Sequence, residues 1–494
     1  MKPKSSIILI LIIFSALFMI SGVSASDNET YHSFSELNQS IADSGSDLDL
    51  QYDYKFDGTV INIDKTQNFT INGNNHVIEG INKPDIFNFN STGVVIVNDL
   101  TFKNCVNTRI NVSSSVVFNN VKFINCSGNN EDMELESLEA NRFILTFANT
   151  TFNNCIFENC SDTTIAFHAP AVFNNIDFIN CSSHYEDGEY NILGLNHFIS
   201  IKSNVTFDKC RFFMAKGDYI PILVDEKYNL VIKNSLFENG SFTSGCIYAN
   251  RAGLIIENSI FNNFNSTMAT AINYKGWNFT LRNSKFVNLS SDGSGGAILI
   301  KYFPNLISND TKILPNDPFL IENCVFINTS AIGDGGAIHL DMDSGSRNKI
   351  QTLNLINCTF TDCKSNFGGA VSDLGGFVNI INSKFSNNRA GFKGGAIYTS
   401  WATVNITDCV LTNNSARKTA GAIYFDKKKL TIVNSNLTDN KVNETSETYA
   451  NCIFIYDGSV HFVNSTFDNG GVGVYADFAG DSKFENVTKM KIFS

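Results

Sequence analysis

The stretch AGFKGGAIYTS, residues 390–400, decides the fold, because close variants of it recur along the chain. The variants read GSGGAILI from Gly293, GDGGAIHL from Gly333, NFGGAVSD from Asn366 and KTAGAIYF from Lys418. A glycine pair permits backbone angles that a Cβ atom would forbid, and it lets neighbouring segments approach closely. We therefore expect the glycines to lead the chain out of a loop, and the Ile or Val after the Ala to point into a core.

A second motif, Asn-(Ser/Cys)-x-Phe, alternates with the first at a usual step of about 25 residues, a period typical of solenoid proteins. The arc from the Ala to the next ring is usually constant, as in the 15 residues from Ala271 to Phe286, whereas the return arc varies. This contrast indicates packed strands on one side of a coil and a tolerant loop on the other. The motif phenylalanines are Phe237, Phe261, Phe286, Phe326, Phe360 and Phe385. The leading asparagines include Asn258, Asn283, Asn323 and Asn382.

Short β-branched segments such as LIIEN and VNIIN lie between the motifs, alternate with period two and are too short for helices. They predict an all-β chain, a right-handed single-stranded parallel β-helix (a solenoid) of about 14 to 16 coils stacked at about 4.8 Å. In such a fold each motif Phe stacks on its equivalents inside the helix. The leading Asn lies at a corner, where its amide satisfies backbone groups or the Asn of the next coil.

The first residues have the pattern of a signal peptide over residues 1–25. Lys2 and Lys4 precede an apolar run, and Val23 and Ala25 are small residues at the cleavage positions. The alternative is an uncleaved membrane anchor, because the run nearly reaches spanning length. We expect a secreted or cell-surface protein with no membrane span after signal removal.

The rest of the chain divides into a cap and a solenoid. Residues 26–58 form the predicted N-terminal cap, with a leading strand and a short helix that begins at a capping box of Ser33 and Glu36. This helix would close the open apolar end of the solenoid. Residues 59–490 form the predicted β-helix. The formal net charge of −12 argues against nucleic acid as a partner, because phosphate binding needs a basic surface.

Gly-Gly-Ala-Ile alternating with Phe-x-x-Asn resembles the repeats of polymorphic surface proteins in certain bacteria. The Asn- and Ile-rich style, together with the signal pattern, resembles the adhesin-like proteins of methanogenic archaea more closely. The resemblance covers about residues 60–490 and implies a pectin lyase-like β-helix displayed at the cell surface or released from it. We see no C-terminal translocator barrel, cell-wall-binding repeat or Ig-like stalk, so we expect a secreted or peripherally held protein.

Twelve cysteines in an exported chain suggest disulfides, but the repeat argues for mostly free thiols. The cysteines fall in three columns, namely the Ser/Cys position of the second motif, the position three residues after its Phe, and the Ala position of the first motif. Positions that accept Ser or Ala elsewhere require a small buried side chain. Equivalent cysteines in stacked coils would also have parallel Cβ vectors, a poor geometry for a disulfide.

If the Ile after Ala points inward, the next residue points outward. This outward column contains Tyr248, Tyr398 and Tyr424, which we take as candidate ligand-binding residues. Exposed aromatic rings on a rigid face could stack against sugar rings or a partner protein. The alternative is ordinary packing of these rings under a loop.

Two coils are longer than the others, and their extra residues lie beside His339, Asp341 and Asp343. A His with two carboxylates could perform acid/base chemistry or bind calcium, although a solvated turn accounts for the same pattern. We expect no cofactor. Two acidic loops, NNEDMELESLEAN from Asn129 and HYEDGEYN from His184, predict at most weak calcium binding.

Two functions fit these features. The first is a secreted or surface adhesin-like protein without catalytic activity, whose partner is extracellular carbohydrate or a cell-surface protein. The alternative is a polysaccharide lyase or glycoside hydrolase on the same scaffold, since a fold by itself does not specify function. We favour the non-enzyme. About two dozen Asn-x-Ser/Thr sequons also make a glycoprotein possible.

Overall fold

The computed structural model describes residues 31–81, 85–128, 142–161, 165–182, 197–214, 220–302, 318–342, 352–444, 451–467, 472–474, 482–489 and 492–493. Within these residues the chain forms one α-helix, Phe34–Asp43, and 53 strands. The strands pair in parallel with their equivalents one coil away, as in Phe261↔Phe286↔Phe326. This is the all-β parallel β-helix that the repeats predict.

Each coil supplies strands to three parallel sheets, which we name S1, S2 and S3 in chain order. S1 strands end at the corner Asn of the second motif, S2 strands carry its Phe, and S3 strands follow Gly-Gly-Ala. The S1 strands are Asp47–Asp49, Phe69–Asn72, Val95–Asn98, Val116–Asn119, Thr150–Asn153, Ala171–Asn174, Val205–Asp208, Asn229–Lys233, Phe319–Glu322, Thr352–Ile356, Phe377–Ile381, Thr403–Thr407, Lys429–Val433, Ser459–Val463 and Lys483–Glu485.

The S2 strands are His32–Ser33, Tyr54–Lys55, Val77–Ile81, Thr101–Val106, Lys122–Ile124, Ile156–Glu158, Asp177–Cys181, Arg211–Met214, Leu236–Phe242, Ile260–Ser266, Lys285–Ser291, Val325–Ala331, Thr359–Thr361, Lys384–Ser386, Val410–Thr412, Asn436–Thr438 and Thr466–Phe467. The S3 strands are Ile61–Ile63, Asp85–Phe89, Arg109–Val112, Ile144–Thr146, Ile165–Phe167, His197–Ile201, Ile220–Val224, Ile298–Tyr302, Ile338–Met342, Val371–Leu374, Ile397–Ser400, Ile423–Asp426, Ile453–Ile455, Val472–Val474 and Ile492–Phe493.

Six strands complete the fold. Two long strands, Ile247–Glu257 and Ile272–Arg282, run through S3 into S1 without a break, which joins these two sheets into one of 32 strands. Four short strands follow S2 in the C-terminal coils and form a parallel ladder that we call the S2 extension. They are Lys364–Phe367, Arg389–Lys393, Ser415–Ala416 and Lys441–Val442.

Each of the three sheets has 17 positions among the described residues, one more than the upper end of the predicted range of coils. The stacking begins at His32, which pairs with Tyr54, and both residues lie inside the region predicted as cap. The helix Phe34–Asp43 lies at that end. Its capping box is formed, because Ser33 Oγ accepts from Glu36 N at 3.2 Å and Glu36 Oε2 accepts from Ser33 N at 2.7 Å.

The interior contains a continuous stack of phenylalanine rings on S2. Successive ring centroids lie 4.4 Å apart between Phe212 and Phe237 and 4.9 Å apart between Phe261 and Phe286. The stack continues to Phe385 with nearly parallel rings, all of them fully buried. Parallel stacking at strand spacing follows from the register, because identical residues lie directly above one another.

The corners account for the Asn and the Ser or Cys of the second motif. The leading Asn adopts a positive φ, for example 52° at Asn258 and 50° at Asn283, a conformation that Asn tolerates well. Its amide also donates to the corner Asn one coil away, as from Asn283 Nδ2 to Asn258 Oδ1 at 3.2 Å. The buried hydroxyl of Ser284 donates to Arg282 O and accepts from Ser259 N, so it satisfies two backbone groups at once.

The glycine pairs behave as the opening stretch suggests. The first Gly has a positive φ, as in Gly394 at 66°, and a Cβ on the second, Gly395, would lie 2.0 Å from Gly421 O in the next coil. Only glycine fits this close approach of two coils. The first position is the more permissive of the two, since Ala420 occupies it with φ 61°.

Candidate functional site

The three candidate tyrosines lie in the outward column of S3, but they do not form one exposed row. Tyr398 pairs with Tyr424 in the next coil, whereas Tyr248 is several coils away and pairs with Asn273. Tyr248 and Tyr398 are half-buried, and only 5% of Tyr424 is exposed. The expectation of open rings is therefore wrong for Tyr424. The physical reason is that side chains of the S2 extension and the turn after it pack over this column.

Aromatic rings from three coils stack on this outer surface. The centroids of Tyr398 and Tyr424 lie 5.2 Å apart, and those of Tyr424 and Phe454 lie 5.5 Å apart, both with interplanar angles near 13°. Phe367 of the S2 extension packs against Tyr398 at 5.3 Å and against Phe392 at 5.4 Å. The stack forms a small apolar cluster outside the main core.

Lysine side chains cover part of the stack. Lys393 Nζ lies 4.3 Å from the ring centroid of Tyr424 and donates to its hydroxyl at 3.1 Å. Lys418 Nζ lies 4.9 Å from the ring centroid of Phe392. Cation–π contacts of this kind are attractive when the ammonium lies over the ring face. Burial lowers the pKa of Lys393, while the nearby Asp426 carboxylate opposes that shift.

The open part of this surface is provided by two rings that the sequence analysis missed. Trp401 follows the S3 strand Ile397–Ser400 and is 52% exposed, and Tyr456 follows Ile453–Ile455 and is 45% exposed. Lys427 Nζ lies 3.9 Å from the Trp401 ring centroid. We call the whole surface the aromatic face. It comprises Phe367, Phe392, Tyr398, Trp401, Tyr424, Phe454 and Tyr456.

A carboxylate lies among these rings with one oxygen unpaired. Ser400 Oγ donates to Asp426 Oδ2 at 3.1 Å, whereas Asp426 Oδ1 is buried without a hydrogen-bond partner. Burial, with a further contribution from Asp426, raises the pKa of Tyr424. This oxygen is shielded from solvent, whereas Trp401 and Tyr456 are open to it. Open aromatic rings beside polar groups are suited to a ligand that offers both an apolar face and hydroxyl groups.

A family model described as the right-handed β-helix region matches residues 131–286 and 313–488, well over half of the chain. The chain belongs to the right-handed β-helix family. No curated protein matches it.

Two solved structures are similar to this β-helix. One is PfbA, a surface adhesin of Streptococcus pneumoniae, at 11% identity and a TM-score of 0.32, with 89% of this chain and 93% of that chain covered. The other is tailspike protein 3 of bacteriophage CBA120, at 10% identity and a TM-score of 0.26, with 95% and 61% covered. Likenesses with scores this low carry no weight for function.

The candidate acid/base residues of this β-helix do not form a hydrogen-bonded set among the described residues. His339 is 5% exposed, its Nδ1 has no partner, and burial, assisted by Lys301, lowers its pKa to about 4. Asp341 is two residues away on the same outward side and pairs with Lys301 at 3.8 Å. Asp343 lies outside the described residues. His339 is thus neutral at pH 7, and the nearby carboxylate is engaged by a lysine.

The calcium expectation stays a prediction, because residues 129–141 and 183–196, which contain the two acidic loops, lie outside the described residues. In the part of the chain that is described, there is no group of three His, Cys, Asp or Glu side chains that could hold a metal. All twelve cysteines are buried free thiols. Among the described residues, no helix has the length and apolar character needed to cross a membrane.

Proposed function

We propose that this β-helix protein acts outside the cell as an adhesin-like binding protein without catalytic activity. Its partner is an extracellular carbohydrate or the surface of another cell, and its binding surface is the aromatic face. The signal-peptide pattern of residues 1–25 supports export. The observation that carries the proposal is the pair of open rings, Trp401 and Tyr456, beside the stack of Tyr398, Tyr424 and Phe454.

Several properties of this surface favour sugar binding. Exposed rings such as Trp401 supply a large apolar area, and they lose little side-chain entropy because they have only two rotatable bonds. The Lys427 ammonium beside the Trp401 ring would orient hydroxyl groups at the edge of that ring. The strands beneath are fixed by pairing in every coil, so the surface is ordered before the ligand arrives.

The candidate acid/base residues do not favour the alternative of a polysaccharide-cleaving enzyme. Glycoside hydrolysis requires a protonated acid and a second carboxylate that face each other across the bond. Asp341 is held by Lys301, and His339 is buried in its neutral form. We therefore keep cleavage as an outcome of the test and not as a second proposal.

The test measures retention of the protein on a panel of immobilised neutral polysaccharides and on whole cells, together with any release of cleaved sugar. Trp401→Ala with Tyr456→Ala should weaken retention at least about tenfold, because the exposed rings are removed. Tyr228→Ala is the matched control, since Tyr228 is an exposed ring elsewhere on the β-helix. Equal retention of all variants would contradict the proposal, and so would sugar release that Asp341→Ala abolishes.

A further inference from the structure

A polar groove of about 430 Å³ runs along the corner between S2 and the S2 extension, separate from the aromatic face. One wall is formed by the corner residues Asp362, Asn387 and Asn413, and the other by Arg389, Ser415 and Lys441. These residues belong to four successive coils. The groove therefore runs parallel to the long axis of the β-helix.

The groove exists because the chain turns sharply at this corner. Asp362, Asn387 and Asn413 have φ values of 57°, 60° and 55°, and the strands of the S2 extension begin two residues later. Asn413 Nδ2 donates to Asn387 Oδ1 at 2.6 Å, which ties neighbouring coils together along the wall. The wall is therefore fixed by the same corner geometry that builds the solenoid.

Positive charge is concentrated along the second wall. The register places Lys364, Arg389, Ser415 and Lys441 at one position in four consecutive coils. The three cations are exposed, and none of them has an ion-pair partner among the described residues. Other cations of the chain do have such partners, as Arg417 does in Glu444. Single exposed cations without partners occur elsewhere on the chain, but here three of four stacked positions are cationic in a chain with a net charge of −12. Aligned cations of this kind attract an extended anion.

We propose that this groove binds an extended acidic polysaccharide whose anionic groups follow the row of cations. Stacked strands place neighbouring cations about 5 Å apart and place Arg389 about 10 Å from Lys441. Arginine engages a carboxylate with two parallel hydrogen bonds, and lysine adds a point charge. The amides of Asn387, Asn413 and Asn443 can pair with sugar hydroxyls.

The lining favours a glycan over the other common polyanion. Proteins that bind single-stranded nucleic acid stack the bases on aromatic rings, and the described lining of this groove contains no ring. Binding to duplex nucleic acid requires a broad basic surface, whereas this chain is acidic outside the row. This inference does not rest on the aromatic face, because the two surfaces use different residues and different ligand chemistry.

The test is affinity electrophoresis of the full-length protein in gels that contain alginate, a carboxylated polysaccharide, or dextran, a neutral one. Alginate should retard the protein, whereas dextran, which is neutral, should not bind in the groove. Arg389→Gln with Lys441→Gln should weaken the alginate interaction at least about tenfold, and added salt should weaken the wild type in the same direction. The control is Lys122→Gln with Lys285→Gln, which removes the same charge from exposed positions of S2 outside the groove.

The wild type, the three variants and the probes distinguish binding in the groove from binding by general charge or by the aromatic face. Alginate retardation that the groove pair abolishes and the control pair preserves supports the site. If both pairs lose alginate retardation equally, general charge is responsible. If a single-stranded oligonucleotide retards the protein more strongly than alginate does, the ligand is a nucleic acid and not a glycan. Either result overturns the proposal. Loss of alginate binding in Trp401→Ala would also overturn it, because the aromatic face would then be the binding surface. Retention on neutral polysaccharides is measured separately, so failure of the proposed function does not decide this result.

Discussion

The N-terminal and C-terminal coils of this β-helix solve one packing problem with different chemistry. The problem lies three residues after each ring of the S2 stack, at a buried position that we call the corner file. In the N-terminal coils the corner file contains thiols, and in the C-terminal coils it contains amides. Its members with a donor group are Cys105, Cys126, Cys160, Cys181, Thr329, Cys363, Asn388, Asn414 and Asn440, whereas Phe264 and Leu289 occupy it in the middle coils.

Both side chains donate to the same backbone group. Cys160 Sγ donates to Phe123 O at 3.4 Å, and Asn414 Nδ2 donates to Phe385 O at 3.1 Å, in each case the carbonyl of the ring one coil earlier. The amide does more, because Asn414 Oδ1 also accepts from Asn388 N and from Asn388 Nδ2. In these coils the position carries a small donor, and an amide joins the coils more strongly than a weakly donating thiol.

The C-terminal coils also accept a titratable group in the core. An inward file of S3 is mostly apolar, but Asp373 and Thr399 interrupt it between Leu340 and Phe425. Asp373 Oδ1 accepts from Gly376 N at 3.2 Å, while its Oδ2 has no partner. Burial raises the pKa of Asp373 to about 7. The C-terminal coils thus combine an amide-containing corner file with a buried carboxyl group.

The largest expected effect is the pH dependence that comes from Asp373. Its folded pKa exceeds the ordinary value, so the folded protein binds more protons than the unfolded chain between about pH 4 and 7, and stability falls as pH rises through that window. The shift of about three units corresponds to roughly 4 kcal/mol. Asp373→Asn should remove this loss, measured as urea midpoints at pH 5 and pH 8.

His339 contributes with the opposite sign, because its lowered pKa makes stability rise with pH between about pH 4 and 6.5. Comparing Asp373→Asn with wild type cancels this contribution. Asp362→Asn is the control, since it alters an exposed carboxyl in a neighbouring segment. If the stability of Asp373→Asn depends on pH as that of wild type does, Asp373 is not the responsible group.

The next effect is the loss of the amide ladder. Asn414→Ala leaves buried donors and acceptors of Asn388, Phe385 and Asn440 unpaired, which should cost about 3 kcal/mol. The measurement is hydrogen exchange of residues 384–444 together with the urea midpoint. Asn436→Ala, at an exposed position of S2, should change neither. Unchanged exchange in Asn414→Ala would remove the distinction between the two halves.

A smaller effect is expected at the equivalent thiol. Cys160→Ala should cost about 1 kcal/mol, because a weak donor and a small volume are lost. Cys160→Ser should recover part of that loss, since a hydroxyl still donates to Phe123 O. Unfolding by urea compares the two variants directly. A cost for Cys160→Ala equal to that of Asn414→Ala would make the two chemistries equivalent.

The smallest effect is the reactivity of the thiols in the folded protein. Burial raises the pKa of Cys155 and of Cys210 to about 12, so almost no thiolate is present at pH 8. A thiol reagent should label almost none of the twelve cysteines in buffer and all twelve in denaturant. Rapid labelling of one or more thiols in buffer would identify a coil that opens locally.

The repeat was enough to predict the coils, because stacking places like residues over like residues, and recurrence along the chain is the direct trace of that geometry. The spacing of Phe261 and Phe286 gave their ring contact, and the capping box at Ser33 gave the helix. The two surfaces proposed for binding were predicted less well. Tyr398 and Tyr424 were placed in the right column, but their burial depends on Phe367 and Lys393 in the variable arc.

Trp401, Tyr456 and the cation row were missed for a related reason. They lie outside the two motifs, so periodicity does not single them out, although Lys364 and Arg389 repeat at the coil step. The cations lie close together because the strands of the S2 extension leave the corner at Asp362 and Asn387 in the same direction. No pattern of one coil contains that information.

The sequence by itself determined the parallel β-helix, its inward rings and its corner asparagines, because these depend on contacts between equivalent residues of successive coils. Only the tertiary structure decided which outward side chains are covered, where the aromatic face opens and how the cations line one groove. The reason is that these features depend on contacts between different arcs of the coil, and such contacts leave no period in the sequence.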